Sequence, residues 1–257
     1  MHAVVVPATP LLAPPMAGHG RGAARAAEPV RRAAGDAVAE LVSDLRAMGG
    51  PAGTVVCVGA GSAASRHPTG SWGTLAGLGV AVEAPAGYDG RPPSLPPSLT
   101  VGARLLEQAG CPTDALLLQE VDRDASPSAT LDLGRDLEEG TRARGGVVGW
   151  LVVGDGSTTR STSAPGGHDA RGELFDAQVA VGLATGDPPA LAALDPSIAA
   201  TAGAAGRSGW QVLAGAAFPQ AGSTRAAAAT PPPLHARLLF DEAPFGVGDL
   251  IARWSPA

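Results

Sequence analysis

Short apolar runs alternate along the chain with longer segments in which apolar residues return at helical spacing. Five of the runs are four to seven residues long, and most are rich in β-branched residues, a pattern that favours strands. The predicted strands are residues 3–6, 54–58, 115–121, 147–153 and 236–240. A further segment, residues 75–83, is predicted to contain a strand.

Six segments carry the helical pattern. They are residues 23–48, 99–109, 132–144, 173–184, 189–193 and 198–204. In the first, Pro29 suits a first-turn position, and the Gly49-Gly50-Pro51 sequence ends the helix. Residues 210–217 are mostly apolar and stay ambiguous.

Strands that alternate with helices predict an α/β fold, with a mainly parallel or mixed central sheet flanked by helices on both faces. We predict a single domain over residues 1–257, with a flexible loop at the Pro- and Ala-rich residues 220–233. Ligands of such sheets bind beyond the carboxyl ends of the strands. The candidate site therefore comprises residues 7–9, 59–61, 155–159 and Glu242.

Composition narrows the function classes. The formal net charge is −6, and all 18 basic residues are Arg, which argues against a nucleic-acid surface. Cys57 and Cys111 lack metal-ligand spacing and indicate a reduced protein. The N-terminus has no basic region of the kind that a signal peptide carries, and no run of about 18 apolar residues occurs. We therefore expect a cytoplasmic protein without a membrane partner.

Four segments at the predicted strand ends carry recognisable motifs. They are residues 6–12 (VPATPLL), 58–61 (VGAG), 154–171 (ending APGGHDAR) and 242–248 (EAPFGVG). In this order the chain resembles the class III extradiol ring-cleavage dioxygenases, subunit-B-like family. That family reads proline-histidine-proline-proline-leucine-leucine at the first segment and serine-proline-histidine-glycine at the second. The resemblance spans nearly the whole chain and implies the family's α/β fold.

The resemblance also implies an Fe(II) ion held by two histidines and a glutamate, with a further histidine as acid and base. In this chain the two histidine ligand positions are Ala8 and Ala60, the acid/base position is Thr158, and only Glu242 is kept. An alanine methyl has no lone pair, and a threonine hydroxyl does not take up a proton near neutral pH. We therefore expect a divergent member that binds no metal, with Fe(II) as cofactor only if the family activity is retained.

The five histidines offer few ways to rebuild the site. His168 lies ten residues past Thr158 in a Gly-rich loop and is the best placed, although an exposed loop histidine is the plainer interpretation. His67 follows the second predicted strand. His235 precedes Glu242 by an odd number of residues, so shared ligation would need a β-bulge. His2 opens the first predicted strand at the end away from the site, and His19, which follows a Pro-rich loop, is expected to be exposed.

The remaining polar residues have structural as well as catalytic interpretations. Asp155 and Ser157 could order the turn after the fourth predicted strand, which we favour over catalysis. A triad of Asp155, Ser157 and His168 would lack the Gly-x-Ser-x-Gly elbow. Glu242 could accept hydrogen bonds from backbone amides or pair with an arginine.

Three functional hypotheses follow. The leading one is a dioxygenase-like protein without iron-dependent ring cleavage, which keeps a cleft for a small, for example aromatic, molecule or for a partner. The alternative is an active oxidoreductase or dioxygenase that acts on an aromatic or other small substrate through Glu242 with Asp155, Thr158 or His168. The third is a structural protein whose cleft has collapsed. A homo-oligomer is compatible with each.

Overall fold

The computed structural model describes residues 1–12, 21–49, 53–86, 91–218 and 234–257. The predicted flexible loop at residues 220–233 and His19 lie outside these ranges.

A seven-stranded mixed sheet forms the centre of the molecule, and its strand order is β3-β6-β2-β7-β1-β9-β8. Strands β1, β2, β6 and β7 are parallel to one another. Strand β3 is antiparallel to β6, β9 is antiparallel to β1, and β8 is antiparallel to β9. The strands of this sheet are β1 His2–Val6, β2 Thr54–Gly61, β3 Ser65–His67, β6 Leu116–Asp122, β7 Val148–Val153, β8 Leu234–Glu242 and β9 Asp249–Pro256. A separate two-stranded sheet contains β4 Gly73–Thr74 and β5 Glu83–Ala84. The predicted fold class is confirmed.

Helices cover both faces of the sheet. They are α1 Arg21–Gly49, α2 Pro97–Gln108, α3 Pro127–Arg142, α4 Ala170–Thr185, α5 Pro188–Ala192, α6 Pro196–Ala202 and α7 Arg207–Ala217, with short 3-10 helices at Pro10–Leu12, Ala76–Leu78 and Thr113–Ala115. One hydrophobic cluster joins one face of the sheet to α1 and α2, and the other joins the opposite face to α3 through α7. Burial of apolar residues on both sides explains why the parallel strands read as continuous apolar runs.

Polar caps fix where several helices begin. Ser126 accepts the Ala129 N–H ahead of α3, and Asp195 accepts the N–H groups of Ser197 and Ile198 ahead of α6. In both cases a proline follows the cap as the first helical residue, where its missing N–H costs nothing. These caps show why α3 begins at Pro127 and not at the predicted residue 132.

Several other predictions differ from the structure. Residues 75–83 contain a 3-10 helix and reach only the first residue of β5, so the predicted strand lies at the end of that segment. The ambiguous residues 210–217 belong to α7. The last strand of the chain, β9, was not predicted, nor was the edge strand β3. Pro29 lies inside α1 rather than in its first turn; its fixed φ suits a helix, although its ring removes one backbone donor.

Glycine residues allow α7 to pack closely against the end of β7 and against α3. A Cβ atom on Gly154, directly after β7, would collide with the Cα of Gly206, which precedes α7. Within the α3–α7 contact, a Cβ on Gly134 would collide with the carbonyl oxygen of Val212, and one on Gly215 with that of Leu131. Glycine at these positions therefore sets how closely α7 packs on β7 and α3.

Among the described residues, no helix has both the length and the apolar character needed to cross a membrane.

Candidate functional site

The predicted site residues lie at one edge of the sheet. The parallel strands β1, β2 and β7 end there, and the antiparallel arrangement brings the end of β8 and the start of β9 to the same edge. This edge therefore carries Ala8, Ala60, the loop after β7 and Glu242. It also carries Asp249, the first residue of β9.

The loop after β7 is held by main-chain hydrogen bonds to two other segments. Towards the β8–β9 turn, Gly156 N donates to Gly248 O (2.8 Å) and Gly248 N donates to Ser157 O (2.8 Å). Towards the α6–α7 connection, Thr158 N donates to the carbonyl oxygen of Ala202 (2.9 Å), and Gly206 N donates to Asp155 O (2.8 Å). The loop therefore has a defined path between these neighbours.

Asp155 joins this loop to the end of β1. Its Oδ1 accepts the backbone N–H of Ala8 at 2.6 Å. Burial raises the pKa of Asp155 to about 6, although hydrogen bonds from the backbone of Ala8 and Thr9 act in the opposite direction. The side chain thus orders the turn, and it also places a titratable carboxyl beside Ala8.

Asp249 is a second carboxyl at the same edge and is more deeply buried than Asp155. Only 3% of the residue is exposed, and its Oδ1 has no hydrogen-bond partner among the described residues. Burial, together with the smaller effects of the negative charges of Asp155 and Asp176, raises the pKa of Asp249 to about 7. The three carboxyls are therefore close enough to interact electrostatically.

Asp176, on α4, is fully buried and forms three hydrogen bonds. It accepts the Ser157 N–H at 2.7 Å, the Ser157 hydroxyl at 2.7 Å and Nη1 of Arg160 at 3.0 Å. This carboxylate pairs with Arg160, which is the usual condition for burying a charge. It fixes the loop from the side of α4.

These bonds leave the hypothetical Asp155, Ser157 and His168 triad unformed. The Ser157 hydroxyl donates to Asp176, and Asp155 accepts from the main chain. His168 is exposed and pairs in an isolated β-bridge with Arg160. Thr158 Oγ1 donates to the carbonyl oxygen of Ala202 at 3.4 Å.

Glu242 is exposed at the end of β8, opposite Asp249 in the ladder. Within the described part of the chain, its side chain forms no hydrogen bond or ion pair, so neither of the structural roles considered for it is seen.

We expect Glu242→Ala to change the free energy of unfolding by less than about 0.5 kcal/mol, because an exposed side chain without contacts of this kind contributes little. Urea denaturation of both proteins would measure this. A loss above about 1 kcal/mol would instead mean that Glu242 has a structural role.

The β-bulge that shared ligation by His235 and Glu242 would need is present. The ladder shifts register between Leu238 and Phe240, so His235 pairs with Ser255 while Glu242 pairs with Asp249. Both therefore lie on one face of β8. They are seven residues apart along a strand that rises about 3.3 Å per residue, too far to share an ion.

The two other described histidines have carboxylate neighbours elsewhere. His67 Nε2 lies 3.1 Å from Oε2 of Glu120, and each side chain is 9% exposed. His2 Nδ1 lies 3.4 Å from Oδ2 of Asp44 at the start of β1. Burial lowers the pKa of His2, and the N-terminal charge lowers it further.

The donor set does not fit the iron that the resemblance implies. Ala8 and Ala60 offer no side-chain donor atom, and Glu242 alone would supply one carboxylate. In the ranges that the structure covers, no group of three or more His, Cys, Asp or Glu side chains could hold a metal ion.

Comparisons with known proteins add little to this geometry. No protein-family model matches the chain, and no curated protein matches it either. Among solved structures, the chain is similar to the crystal structure of uncharacterized protein JW3007 from Escherichia coli K12, with a TM-score of 0.49 and 13% identity over 99% of both chains. This is a distant structural neighbour and carries no functional argument. The dioxygenase resemblance stays a prediction.

Two residues of the site were not found from the sequence as candidates. Asp249 opens the apolar strand β9 directly after the Gly246-Val247-Gly248 sequence, and an acidic residue at the head of a buried strand was the available signal. Asp176 lies within the helical pattern of α4 and is fully buried there. A buried acid on an apolar helix face could have marked it.

Proposed function

We propose that the protein binds a small molecule at the carboxyl edge of the sheet and does not catalyse iron-dependent ring cleavage. The observation that carries this proposal is the buried Oδ1 of Asp249, which has no hydrogen-bond partner in the described part of the chain. A buried acceptor left without a donor costs about 1–3 kcal/mol, and a ligand that donates a hydrogen bond would recover part of this. The absent histidine side chains at Ala8 and Ala60 support the second half of the proposal.

The neighbouring carboxyls suggest the chemistry of the ligand. Asp155 and Asp249 can accept hydrogen bonds, and Asp176 adds negative charge nearby. Hydroxyl or amine groups would be favoured over carboxylates, because a second anion would be repelled in a poorly solvated site. Small aromatic molecules that carry hydroxyl or amine groups fit both this chemistry and the family resemblance.

Ligand-observed and protein-observed NMR with catechol, benzylamine and benzoate would test the binding proposal. We expect saturable binding of catechol or benzylamine, weakened about tenfold or more by Asp249→Asn, and no binding of benzoate. Asp136→Asn, which changes an exposed acid on α3, is the matched control and should leave affinity unchanged. If neither donor compound binds, or if both variants behave alike, the proposal is wrong.

Metal analysis and oxygen uptake would test the absence of ring cleavage. We expect protein purified without chelator to contain far less than one iron per chain, and catechols to cause no oxygen uptake even with added Fe(II). The physical reason is the missing pair of imidazole ligands. Stoichiometric iron that is lost in Glu242→Ala, together with uptake that depends on Glu242, would establish the enzymatic alternative.

A further inference from the structure

A cavity of about 220 Å³ lies between the β6–α3 loop and the α6–α7 connection. Arg123 and Asp124 line it from the first of these, and Gly203, Ala204 and Arg207 line it from the second. The volume is below the range of about 300–1,000 Å³ typical for drug-sized ligands, so it suits a small molecule.

Arg207 is a buried cation, and none of the described carboxylates pairs with it. It is 2% exposed, and in the described residues it forms no ion pair. Its Nη1 donates to Ala125 O (2.7 Å) and to Oε1 of Gln211 (2.9 Å), and its Nη2 donates to Arg123 O (2.6 Å). All three acceptors are neutral. Burial lowers the pKa of Arg207, and the nearby charges of Asp124 and Asp122 offset this only in part.

The guanidinium also keeps unused donors. Arginine has five N–H groups, and the three hydrogen bonds that Arg207 makes to described residues leave two of them available. One of these is the buried Nε–H, which has no acceptor in the described part of the chain. Two N–H groups of one guanidinium match the oxygen spacing of a carboxylate or phosphate.

Two further features favour an anion here. Arg123 is exposed, and its Nε donates a hydrogen bond to Gly61 O at 3.3 Å. In the described ranges, its guanidinium forms no other hydrogen bond and no ion pair. The eleven-residue helix α7 begins at Arg207 without a side-chain cap, and its dipole adds positive potential at that end. Asp124 opposes these charges from an exposed position, so the net attraction is moderate.

We propose that this cavity is a binding site for the oxyanion group, phosphate or carboxylate, of a small molecule, with Arg207 as the buried anchor and Arg123 at the surface. The site is separate from Asp155 and Asp249 and does not depend on the function proposed for them. The segment that contains Gly203 and Gly206 lies between the cavity and the site at Asp155. Gly203 lines the cavity, and Gly206 N donates to the carbonyl oxygen of Asp155.

NMR of the arginine Nε–H groups, during titration with inorganic phosphate and separately with acetate at constant ionic strength, tests this site directly. We expect the Nε–H signal of Arg207 to shift saturably with one anion or both, with a dissociation constant in the millimolar range. Comparison of the two titrations distinguishes phosphate from carboxylate ligands. Sodium chloride at matched ionic strength serves as the reference for nonspecific screening.

Variants give a second readout. Arg123→Gln should weaken anion binding about threefold to tenfold, since it removes one exposed charge, and Arg207→Gln should weaken it by tenfold or more. Arg144→Gln, at an exposed position just after α3, is the matched control and should have no effect. Arg207 donates three hydrogen bonds within the protein, so Arg207→Gln could fail to fold. The Arg123→Gln variant and the Nε–H titration of the unchanged protein therefore decide whether the cavity binds anions. An Nε–H signal that responds to phosphate and acetate only as it does to chloride, or equal losses in Arg123→Gln and Arg144→Gln, would overturn the proposal.

Discussion

Asp176→Ala is expected to lower the free energy of unfolding by about 3–5 kcal/mol. The substitution removes the acceptor of three hydrogen bonds and leaves the positive charge of Arg160 beside a buried site without its partner. The Ser157 N–H and hydroxyl are buried and would lose their partner at the same time. Urea denaturation, followed by tryptophan fluorescence, measures the loss.

Two controls separate this effect from a general cost of removing an acid. Asp132→Ala removes a carboxylate from an exposed ion pair with Arg135 on α3 and should cost less than about 1 kcal/mol. Asp176→Asn keeps one oxygen acceptor but no charge, so its cost should fall between the two. If Asp176→Ala were as stable as Asp132→Ala, the hydrogen bonds of Asp176 would not hold the loop after β7.

The free energy of unfolding is also expected to decrease as the pH rises from about 4 to 7. The pKa values of Asp155 and Asp249 are raised from 3.8 to about 6 and about 7, so between these limits the folded state holds more protons than the unfolded state. Stability therefore falls with pH in this window. For Asp249 the loss between pH 4 and pH 8 is roughly 4 kcal/mol.

Asp249→Asn tests this assignment, because it keeps the shape of the side chain and removes its charge. The variant should be more stable than the unchanged protein at pH 8 and close to it at pH 4. The difference between the two proteins isolates Asp249 from opposing groups such as His2, whose pKa is lowered. Asp132→Asn provides the exposed control. A pH dependence that is identical in the variant and the unchanged protein would contradict the raised pKa of Asp249.

The parallel core of the sheet could be predicted because each of its strands is an apolar run that ends in a recognisable turn. The runs at residues 54–58 and 147–153 became β2 and β7, and the rule for ligand sites at strand ends then led to the loop that starts at Asp155. The local sequence was sufficient there because burial on both faces makes the whole strand apolar.

Elements whose environment depends on distant parts of the chain were harder to predict. Every residue of α7 except its last is buried, so its sequence lacks the polar stripe that marks a surface helix. Strand β9 pairs with β1 from the opposite end of the chain, and its register cannot be inferred from local pattern. The same holds for the carboxyls of Asp155, Asp176 and Asp249, which come near one another only because the tertiary fold packs α4 against the ends of the strands.

The main-chain attachment of the loop after β7 has a consequence for how this edge of the sheet can change. Four of the bonds that fix the loop join amides to carbonyls, which every residue other than proline provides. Side chains such as that of Thr158 can therefore be exchanged without redirecting the backbone, whereas Asp176 cannot. Side chains that the loop presents at this edge of the sheet can therefore change during evolution while the backbone of the loop keeps its path.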